Sequence, residues 1–358
     1  MSLRSLATLL LAVCFVACAS APSPSAPTPA KAAAAPAGKL RTIDLLCAEG
    51  ARYVSYDKLG VPSQEYPTGV ALTRGNVWVL FPQRLVRISR GGERVDVGMH
   101  VAPLEERWVE IDVDPLDESV WVVSETKLVL YKVSPDGHMS TVKLQHKVEG
   151  KGGFSGLLVG RDAIYAQPTC ADTAVWRLDR SGKLLGTALE APKKTESDEP
   201  VVLRPDEPDR HCYTVRLERD AEGRILAWDP KARATWQVDD QGVWTPSDSR
   251  LFAAAGESSG TVALKGVDIG EKTEQWYVAN GLGRLFYWKG KPVFLRSRTM
   301  KERAKGNDTV LYVPGDKELI MPCHGSALWN VATDATGYAA ITDRFLVLGE
   351  MASAPDLP

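Results

Sequence analysis

The chain has 358 residues, of which 44% are hydrophobic and 25% charged, and its formal net charge is -2 at pH 7. This balance, without a cluster of Lys and Arg, excludes the charge pattern typical of nucleic-acid-binding proteins. The short basic run at residues 301–305 is interpreted as a solvated loop. The length is large for a single hydrophobic core, so we expect a fold that grows by repetition.

The chain begins with a segment typical of export signals. Arg4 supplies a positive charge, and residues 6–17 form an apolar stretch of 12 residues. Such a stretch is too short to span a bilayer as a helix, but it has the length of a signal-peptide core. We therefore predict that residues 1–17 are a signal peptide, and we exclude them from the fold.

The residues that follow predict a lipid anchor. Phe15-Val16-Ala17-Cys18 resembles the bacterial lipobox, although Phe15 stands where Leu is usual. The resemblance implies that Cys18 carries the lipid, palmitate included, and that the protein is a lipoprotein. Ala19 after the lipidated cysteine implies an outer-membrane anchor, with the body facing the periplasm or the exterior. The alternative is ordinary secretory cleavage at a small-x-small site within residues 17–21, which would release a soluble secreted protein.

Residues 18–39 are predicted to be a tether that follows the anchor. From residue 19 onward the segment is rich in Pro, Ala and Ser and contains no aromatic side chain. Such a composition cannot bury a core and favours extended, polyproline-like conformations. When fully extended, the tether could hold the body on the order of 60 Å from the membrane.

Residues 40–350 contain a unit that recurs with a spacing of roughly 40 residues. Each copy has an apolar run, a strand bearing Trp or Tyr, a third strand ending in an Asp/Gly turn, and often a fourth strand. Short strands at even spacing predict an all-β fold, a six-bladed β-propeller, with residues 351–358 as a C-terminal tail. The predicted blades are residues 68–98, 108–144, 153–189, 211–246, 261–297 and a last blade from residue 325.

Two insertions and one gap interrupt the predicted repeat. Residues 191–208 separate the third and fourth blades, and residues 309–322 are predicted to be an added hairpin after the fifth. The last blade lacks one strand, and we expect residues 40–46 to supply it by pairing with residues 345–348, which closes the ring. Residues 51–56 could instead begin a seventh, irregular blade, so seven blades remain possible.

The repeat resembles the NHL and gluconolactonase-like superfamily of six-bladed propellers. The residues that carry this resemblance are 75–79, 112–114, 120–122 and 134–137. The superfamily's motifs specify a fold more than an activity, and the acidic and Asn metal ligands of its enzymes have no residue-by-residue match in this sequence. Trp78, Trp121 and Trp276 occupy equivalent strand positions, and we interpret them as packing residues between blades.

Four cysteines lie in the predicted folded body. An even number in an exported chain suggests two disulfides, for which three connectivities are possible. In a propeller, the loop between the second and third strands of one blade lies on the same face as the start of the next blade. This topology favours the pairs Cys170–Cys212 and Cys47–Cys323. Redox chemistry is a poorer interpretation, because no two of these cysteines have the close spacing of a redox motif.

The same topology predicts a binding face at the mouth of the central channel. The residues that open the first strands, or the loops before them, are Tyr66, Arg107, Trp108, Glu110, Phe154, Arg210, His211, Glu257 and His324. His211 and His324 with a carboxylate could hold Ca or Zn. We favour the simpler interpretation that these side chains line a hydrated channel mouth, and we predict no cofactor.

Two functions from different classes are compatible with these patterns. The first is an envelope-tethered propeller that binds a protein, peptide or glycan as a scaffold or binding module. The second is a periplasmic propeller enzyme, a metal-dependent lactonase or lyase, that uses His211, His324 and a nearby carboxylate. We favour the first, because it accounts for the tether and because no catalytic motif is recognisable in the sequence.

Overall fold

The computed structural model describes the following residues: 41–42, 50–145, 152–169, 173–190, 216–220, 222–229, 234–238, 243–247, 282–297, 309–312, 319–321 and 328–357. Within them the regular structure consists of β-strands and one short 3-10 helix, Tyr56–Leu59. No helix in this part of the chain is long and apolar enough to cross a membrane. The prediction of an all-β fold is confirmed.

The strands form six sheets, in which neighbouring strands are antiparallel except for one pair. Two short strands come first, β1 (Arg41–Thr42) and β2 (Arg52–Ser55). Sheet I contains β3 (Gly69–Leu72), β4 (Asn76–Phe81), β5 (Arg84–Ser89) and β6 (Arg94–Val101). Sheet II contains β7 (Trp108–Val113), β8 (Val120–Ser124), β9 (Val129–Val133) and β10 (Met139–Lys143).

The next two sheets repeat this order. Sheet III contains β11 (Phe154–Val159), β12 (Ile164–Pro168), β13 (Thr173–Leu178) and β14 (Leu184–Glu190). Sheet IV contains β15 (Arg216–Arg219), β16 (Ile225–Asp229), β17 (Ala234–Val238) and β18 (Trp244–Ser247). Strands were predicted in all four of these regions.

The last two sheets each take one strand from the N-terminal part of the chain. Sheet V contains β19 (Leu282–Trp288), β20 (Lys291–Ser297), β21 (Thr309–Tyr312), β22 (Leu319–Met321) and, parallel to β22, β1. Sheet VI contains β23 (Leu328–Thr333), β24 (Gly337–Thr342), β25 (Phe345–Glu350) and, antiparallel to β25, β2.

Turns between strands follow one recurring pattern. A Ser or Asp carbonyl accepts a hydrogen bond from the N–H of a glycine three residues later, and that glycine has a positive φ that favours residues without a Cβ. The pairs are Ser89 and Gly92, Ser134 and Gly137, Asp179 and Gly182, and Asp220 and Gly223. The predicted Asp/Gly turns are thus hairpin connections.

The hydrophobic core is divided into clusters between neighbouring sheets. Val77 and Val79 of sheet I pack with Ile341 and Leu346 of sheet VI, for example. Trp78 is 1% exposed and lies between sheets I and II, while Trp121 is 0% exposed and lies between sheets II and III. Their predicted packing role is confirmed, and Trp276 lies outside the described residues. Because each sheet is covered by its neighbours, the arrangement is propeller-like.

The first strands of the sheets contact one another in order, and that of sheet VI contacts that of sheet I. Polar side chains join them. Arg219 on β15 donates to both carboxylate oxygens of Asp112 on β7, at 3.0 and 2.6 Å. Asp112 also accepts the backbone N–H of Val159 on β11 at 2.7 Å. One bidentate ion pair therefore connects sheets II, III and IV.

A second ion pair joins sheets II and III just after the end of β7. Asp114 is fully buried, and its carboxylate accepts from Arg180 at 2.7 and 2.8 Å and from the Nε1–H of Trp121 at 3.3 Å. Burial alone would raise the pKa of Asp114, but the hydrogen bonds from Arg180 and from the backbone N–H of Leu116 outweigh it. The pKa of Asp114 therefore lies below its ordinary value.

The structure corrects the predicted closing strand. Residues 345–348 pair with β2, with Val54 opposite Leu346, and not with residues 40–46. Within residues 40–46, Arg41 and Thr42 pair instead with Ile320 and Met321 at the edge of sheet V. β2 is favoured at this edge because the pairing buries the side chain of Val54 in the cluster between sheets I and VI. The segment considered for a seventh blade is thus part of sheet VI.

The structure also corrects the predicted fifth blade. In that blade, predicted at residues 261–297, the sequence pattern indicates a third strand at residues 284–291. The observed strand β19 instead contacts the first strands of sheets IV and VI and is itself the first strand. The residues predicted as an added hairpin provide β21 and β22, which pair as the third and fourth strands of the same sheet. A first strand and a third strand can carry the same apolar alternation, so only packing separates them.

The contribution of β2 can be measured by shortening its buried side chain. We expect Val54→Ala to lower the free energy of unfolding by about 1 to 2 kcal/mol, because Val54 is 8% exposed and its methyl groups fill the cluster between sheets I and VI. The matched control is Val101→Ala, where the side chain is 62% exposed, with an expected loss below about 0.5 kcal/mol. Equal losses in denaturant titrations would contradict this role for β2.

The ion pair of Asp114 predicts acid sensitivity. A carboxyl whose pKa is lower in the folded than in the unfolded chain stabilises the fold above its unfolded pKa and loses that contribution as the pH falls. We therefore expect the free energy of unfolding to fall as the pH drops below about 4. Asp114→Asn should lower stability at pH 7 and flatten this dependence, measured by denaturant titration at several pH values. Glu222→Gln, at a carboxylate 64% exposed, should leave the curve unchanged.

Candidate functional site

The starts of the first strands lie together on one face of the sheets, which we call the upper face. The N–H of Trp108, where β7 begins, donates to the carbonyl of Pro82 in the β4–β5 loop at 2.8 Å. The N–H of Gly153, just before β11, donates to the carbonyl of Glu125 in the β8–β9 loop at 2.8 Å. The predicted placement of these loops beside the start of the next sheet is thus confirmed for sheets I to III.

Two aromatic side chains form an exposed pair on the upper face, between sheets I and VI. Tyr66, in the loop between the 3-10 helix and β3, is 53% exposed, and Trp329 on β23 is 50% exposed. Their ring centroids are 6.0 Å apart and the ring planes differ by 15°, so the rings are stacked. We call this pair the aromatic platform. It combines the predicted mouth residue Tyr66 with a tryptophan that the sequence reasoning missed.

A local irregularity in sheet VI accounts for the exposure of Trp329. The register between β23 and β24 shifts between Leu328 and Asn330, so Trp329 lies at a β-bulge. A bulge re-aims the side chain of the extra residue and is common beside functional sites. The flanking residues Leu328 and Asn330 are buried, at 4% and 2% exposure. The sequence signal that could have indicated this exposed side chain is a Trp at the start of the last blade's first strand, between Leu328 and Asn330.

A polar residue stands next to each member of the platform in the sequence, Glu65 beside Tyr66 and Asn330 beside Trp329. Asn330 accepts the N–H of Val331 through Oδ1, while its buried Nδ2 has no hydrogen-bond partner in the described part of the chain. Beside Tyr66, Glu65 forms an ion pair with Arg84 at the start of β5, and its Oε2 is likewise buried without a hydrogen-bond partner among the described residues. Both unpartnered atoms are buried, so the exposed part of the platform consists of the two aromatic rings.

A second part of the upper face is the loop between β6 and β7. Glu106 is 3% exposed, accepts the hydroxyl of Tyr131 and forms an ion pair with Lys127 at 2.9 Å. Burial, together with the hydrogen bond to Glu106, raises the pKa of Tyr131 above its ordinary value, so the phenol stays protonated and donates. These contacts hold the loop, on which Leu104 is 88% exposed.

The other described mouth residues have different environments. Arg107 is on the upper face, 57% exposed, and lies 3.5 Å from Glu125. Trp108 and Phe154 are both 0% exposed and pack in the clusters between sheets, so their prediction as binding residues is corrected: they belong to the core. Glu110 is partly buried on β7 and has interactions of its own.

The remaining predicted site residues lie outside the described residues. These are the mouth residues Arg210, His211, Glu257 and His324, the lipidation residue Cys18, and the disulfide cysteines Cys47, Cys170, Cys212 and Cys323. The expected disulfides, Ca or Zn ligands and lipid anchor therefore stay predictions. In the part of the chain that the structure describes, no group of three His, Cys, Asp or Glu side chains could hold a metal ion.

No protein-family profile matches this chain, and no curated protein matches its sequence. Solved structures resemble it at low identity. Virginiamycin B lyase from Staphylococcus aureus is 10% identical, with a TM-score of 0.48 over 83% of this chain and 98% of that chain. YCF48 from Cyanidioschyzon merolae is 12% identical, with a TM-score of 0.40 over 82% of each chain.

A protein of unknown function from Bacteroides caccae is also similar in structure. It is 12% identical, with a TM-score of 0.43 over 72% of this chain and 81% of that chain. At these identities and TM-scores the similarities assign neither an activity nor a ligand to this chain.

Proposed function

We propose that this protein is an envelope-tethered β-propeller lipoprotein that binds a glycan, peptide or protein through its upper face. The observation that carries the proposal is the aromatic platform, because Tyr66 and Trp329 are stacked yet each remains about half exposed. Large aromatic side chains are usually buried in soluble proteins, and exposed Tyr and Trp are enriched at binding surfaces. The platform lies where the first strands begin, which is the face that the repeat predicts to be the binding face.

The proposed architecture is a closed ring of six blades of the NHL or gluconolactonase-like type. It is supported by the six sheets and by the contacts of each first strand with the next, including that of β23 with β3. The pairing of β2 with β25 supports closure by an N-terminal strand. In such a ring the sheet edges are covered and the first strands surround a channel.

The chemistry of the platform favours rigid ligands with an apolar face. A pyranose ring or a proline ring can pack its C–H groups against the exposed face of Trp329 or Tyr66, with little loss of side-chain entropy because each aromatic has only two side-chain torsions. The ligand classes of the proposal share these requirements.

The platform predicts a fluorescence response that depends on two side chains. Oligomers of N-acetylglucosamine and an oligoproline peptide represent the two ligand chemistries in titrations of intrinsic tryptophan fluorescence. We expect one of them to change the signal at saturation and Trp329→Ala to abolish that change. Tyr66→Ala should weaken binding by about five- to thirtyfold, because a stacked aromatic contributes on the order of 1 to 2 kcal/mol.

The matched control is Leu104→Ala, at an apolar side chain 88% exposed on the same face. It should leave both the signal change and the affinity unaltered. Binding that survives both Trp329→Ala and Tyr66→Ala would contradict the platform as the binding site.

The tether is a separate part of the proposal. It is supported by the apolar N-terminal segment, the lipobox-like residues and the Pro/Ala-rich stretch that follows Cys18. In cells fed with labelled palmitate, we expect the protein to incorporate the label and Cys18→Ser to abolish incorporation and shift the protein from the membrane to the soluble fraction. Cys14→Ser, at the other cysteine of the segment, is the control and should retain the label. Incorporation into the Cys18→Ser variant would refute this anchor.

A further inference from the structure

A cavity opens at the end of the sheets opposite to the aromatic platform. It lies between sheets I and VI and has a volume of about 530 Å³. Its lining comes from the turns β3–β4, β5–β6 and β23–β24 and from the start of β2 and the end of β25. The volume is in the range of small-molecule sites, and larger than a bare inorganic ion needs.

Three arginines line this cavity: Arg52 on β2, Arg74 in the β3–β4 turn and Arg90 in the β5–β6 turn. The lining contains one acidic residue, Glu350, so its charged side chains sum to three positive charges and one negative charge. Two further carboxylates, Glu118 and Asp334, pair with Arg74 and Arg90 but are not among the lining residues. With these two carboxylates counted, the charges around the cavity balance, and Arg52 is the lining arginine without a carboxylate partner among the described residues.

Each arginine retains N–H groups that no described protein group accepts. Arg52 donates through Nη1 to the carbonyl of Gly91 at 2.9 Å and has no carboxylate partner among the described residues. Arg90 donates through Nε and Nη2 to the carbonyl of Thr73, and Nη2 also contacts Asp334. The Nη1 group of Arg90 has no acceptor in the described part of the chain. A planar guanidinium held on one edge presents its other edge to an oxyanion.

Glycines keep the wall of the cavity open beside these groups. A Cβ at Gly337 would come within 2.7 Å of the carbonyl oxygen of Gly349 and 3.4 Å of Nη1 of Arg90. A Cβ at Gly91 would lie 3.4 Å from Nη1 of Arg52. Side chains at these positions would cover the two guanidinium groups. Val77 and Leu348, at 0% and 4% exposure, belong to the core cluster beneath the cavity.

We propose that this cavity binds a small organic molecule through a phosphate or carboxylate group. The oxyanion contacts the free N–H groups of Arg52 and Arg90, with Arg74 at the rim, and the organic part occupies the rest of the cavity. Charge-assisted, forked hydrogen bonds from arginine match both oxyanions in geometry. Binding here is independent of the aromatic platform, because none of the lining residues belongs to it.

The test is calorimetric titration of the full-length protein with three probes that share one ring: phenyl phosphate, benzoate and benzyl alcohol. We expect at least one of the two anions to bind with one-to-one stoichiometry and the neutral alcohol to bind at least about tenfold more weakly. The anion that binds more tightly identifies the group. Raising the salt from about 0.05 M to about 0.5 M should weaken the anion several-fold, because exposed charges are screened.

Variants locate the site. Arg52→Gln should weaken anion binding at least about tenfold, since it removes a guanidinium whose only described bond is to one backbone carbonyl. Arg52→Lys should restore part of the affinity, because it keeps the charge and loses the fork. Arg74→Gln, at a side chain 93% exposed, offers a second change that leaves the packing intact. The control is Arg107→Gln on the upper face, which should bind as the unchanged protein does.

Three results would overturn the proposal. The first is the absence of anion binding up to about 10 mM, weaker than the range of specific small-molecule sites. The second is equal affinity for benzyl alcohol and the anions, which would show apolar binding alone. The third is anion binding that Arg52→Gln and Arg74→Gln leave unchanged, which would place the ligand elsewhere. Thermal unfolding of each variant checks that its fold is retained.

Discussion

A four-stranded sheet of this chain cannot bury both of its faces alone, and the rest of the structure depends on that constraint. Each sheet is apolar on two sides, so it is stable only between two neighbours, as the clusters that join sheets VI and I, I and II, II and III, and III and IV show. Sheets V and VI share a further cluster, which includes Trp288 and Tyr338. Sheet VI covers sheet I, and the N-terminal strand β2 provides the fourth strand of sheet VI.

Burial of the first strands creates a second requirement, because their polar groups are removed from water. Asp112 and Arg219 meet this requirement together, and the backbone N–H of Val159 donates to Oδ2 of Asp112, which also accepts from Arg219. Glu218 accepts the N–H of Leu285 at 3.2 Å and so joins sheets IV and V. These contacts fix the positions of the first strands relative to one another. The ends of the first strands are held by these contacts, and the starts of β7 and β11 are held by hydrogen bonds to the loops of the preceding sheets.

The two proposed sites use different chemistry because they lie at opposite ends of the same pair of sheets. On the upper face a bulge in β23 exposes Trp329 against Tyr66, which suits rigid ligands with an apolar face. At the other end, two turns of sheet I and the start of β2 in sheet VI place three arginines around a cavity. Both sites lie where sheet I meets sheet VI, the contact that joins the two ends of the repeat. Ligands at either site would bind across this contact and stabilise it by mass action.

The sequence by itself determined the local units: the strands of sheets I to III, the Asp/Gly turns and the packing role of Trp78 and Trp121. These depend on alternation and on turn residues, which act over a few positions. Only the tertiary structure decided that β2 completes sheet VI, that β19 is a first strand, and that Trp329 meets Tyr66. An alternating apolar segment satisfies the same local rules at any position in a sheet, and its partner is chosen by the burial that its neighbours offer.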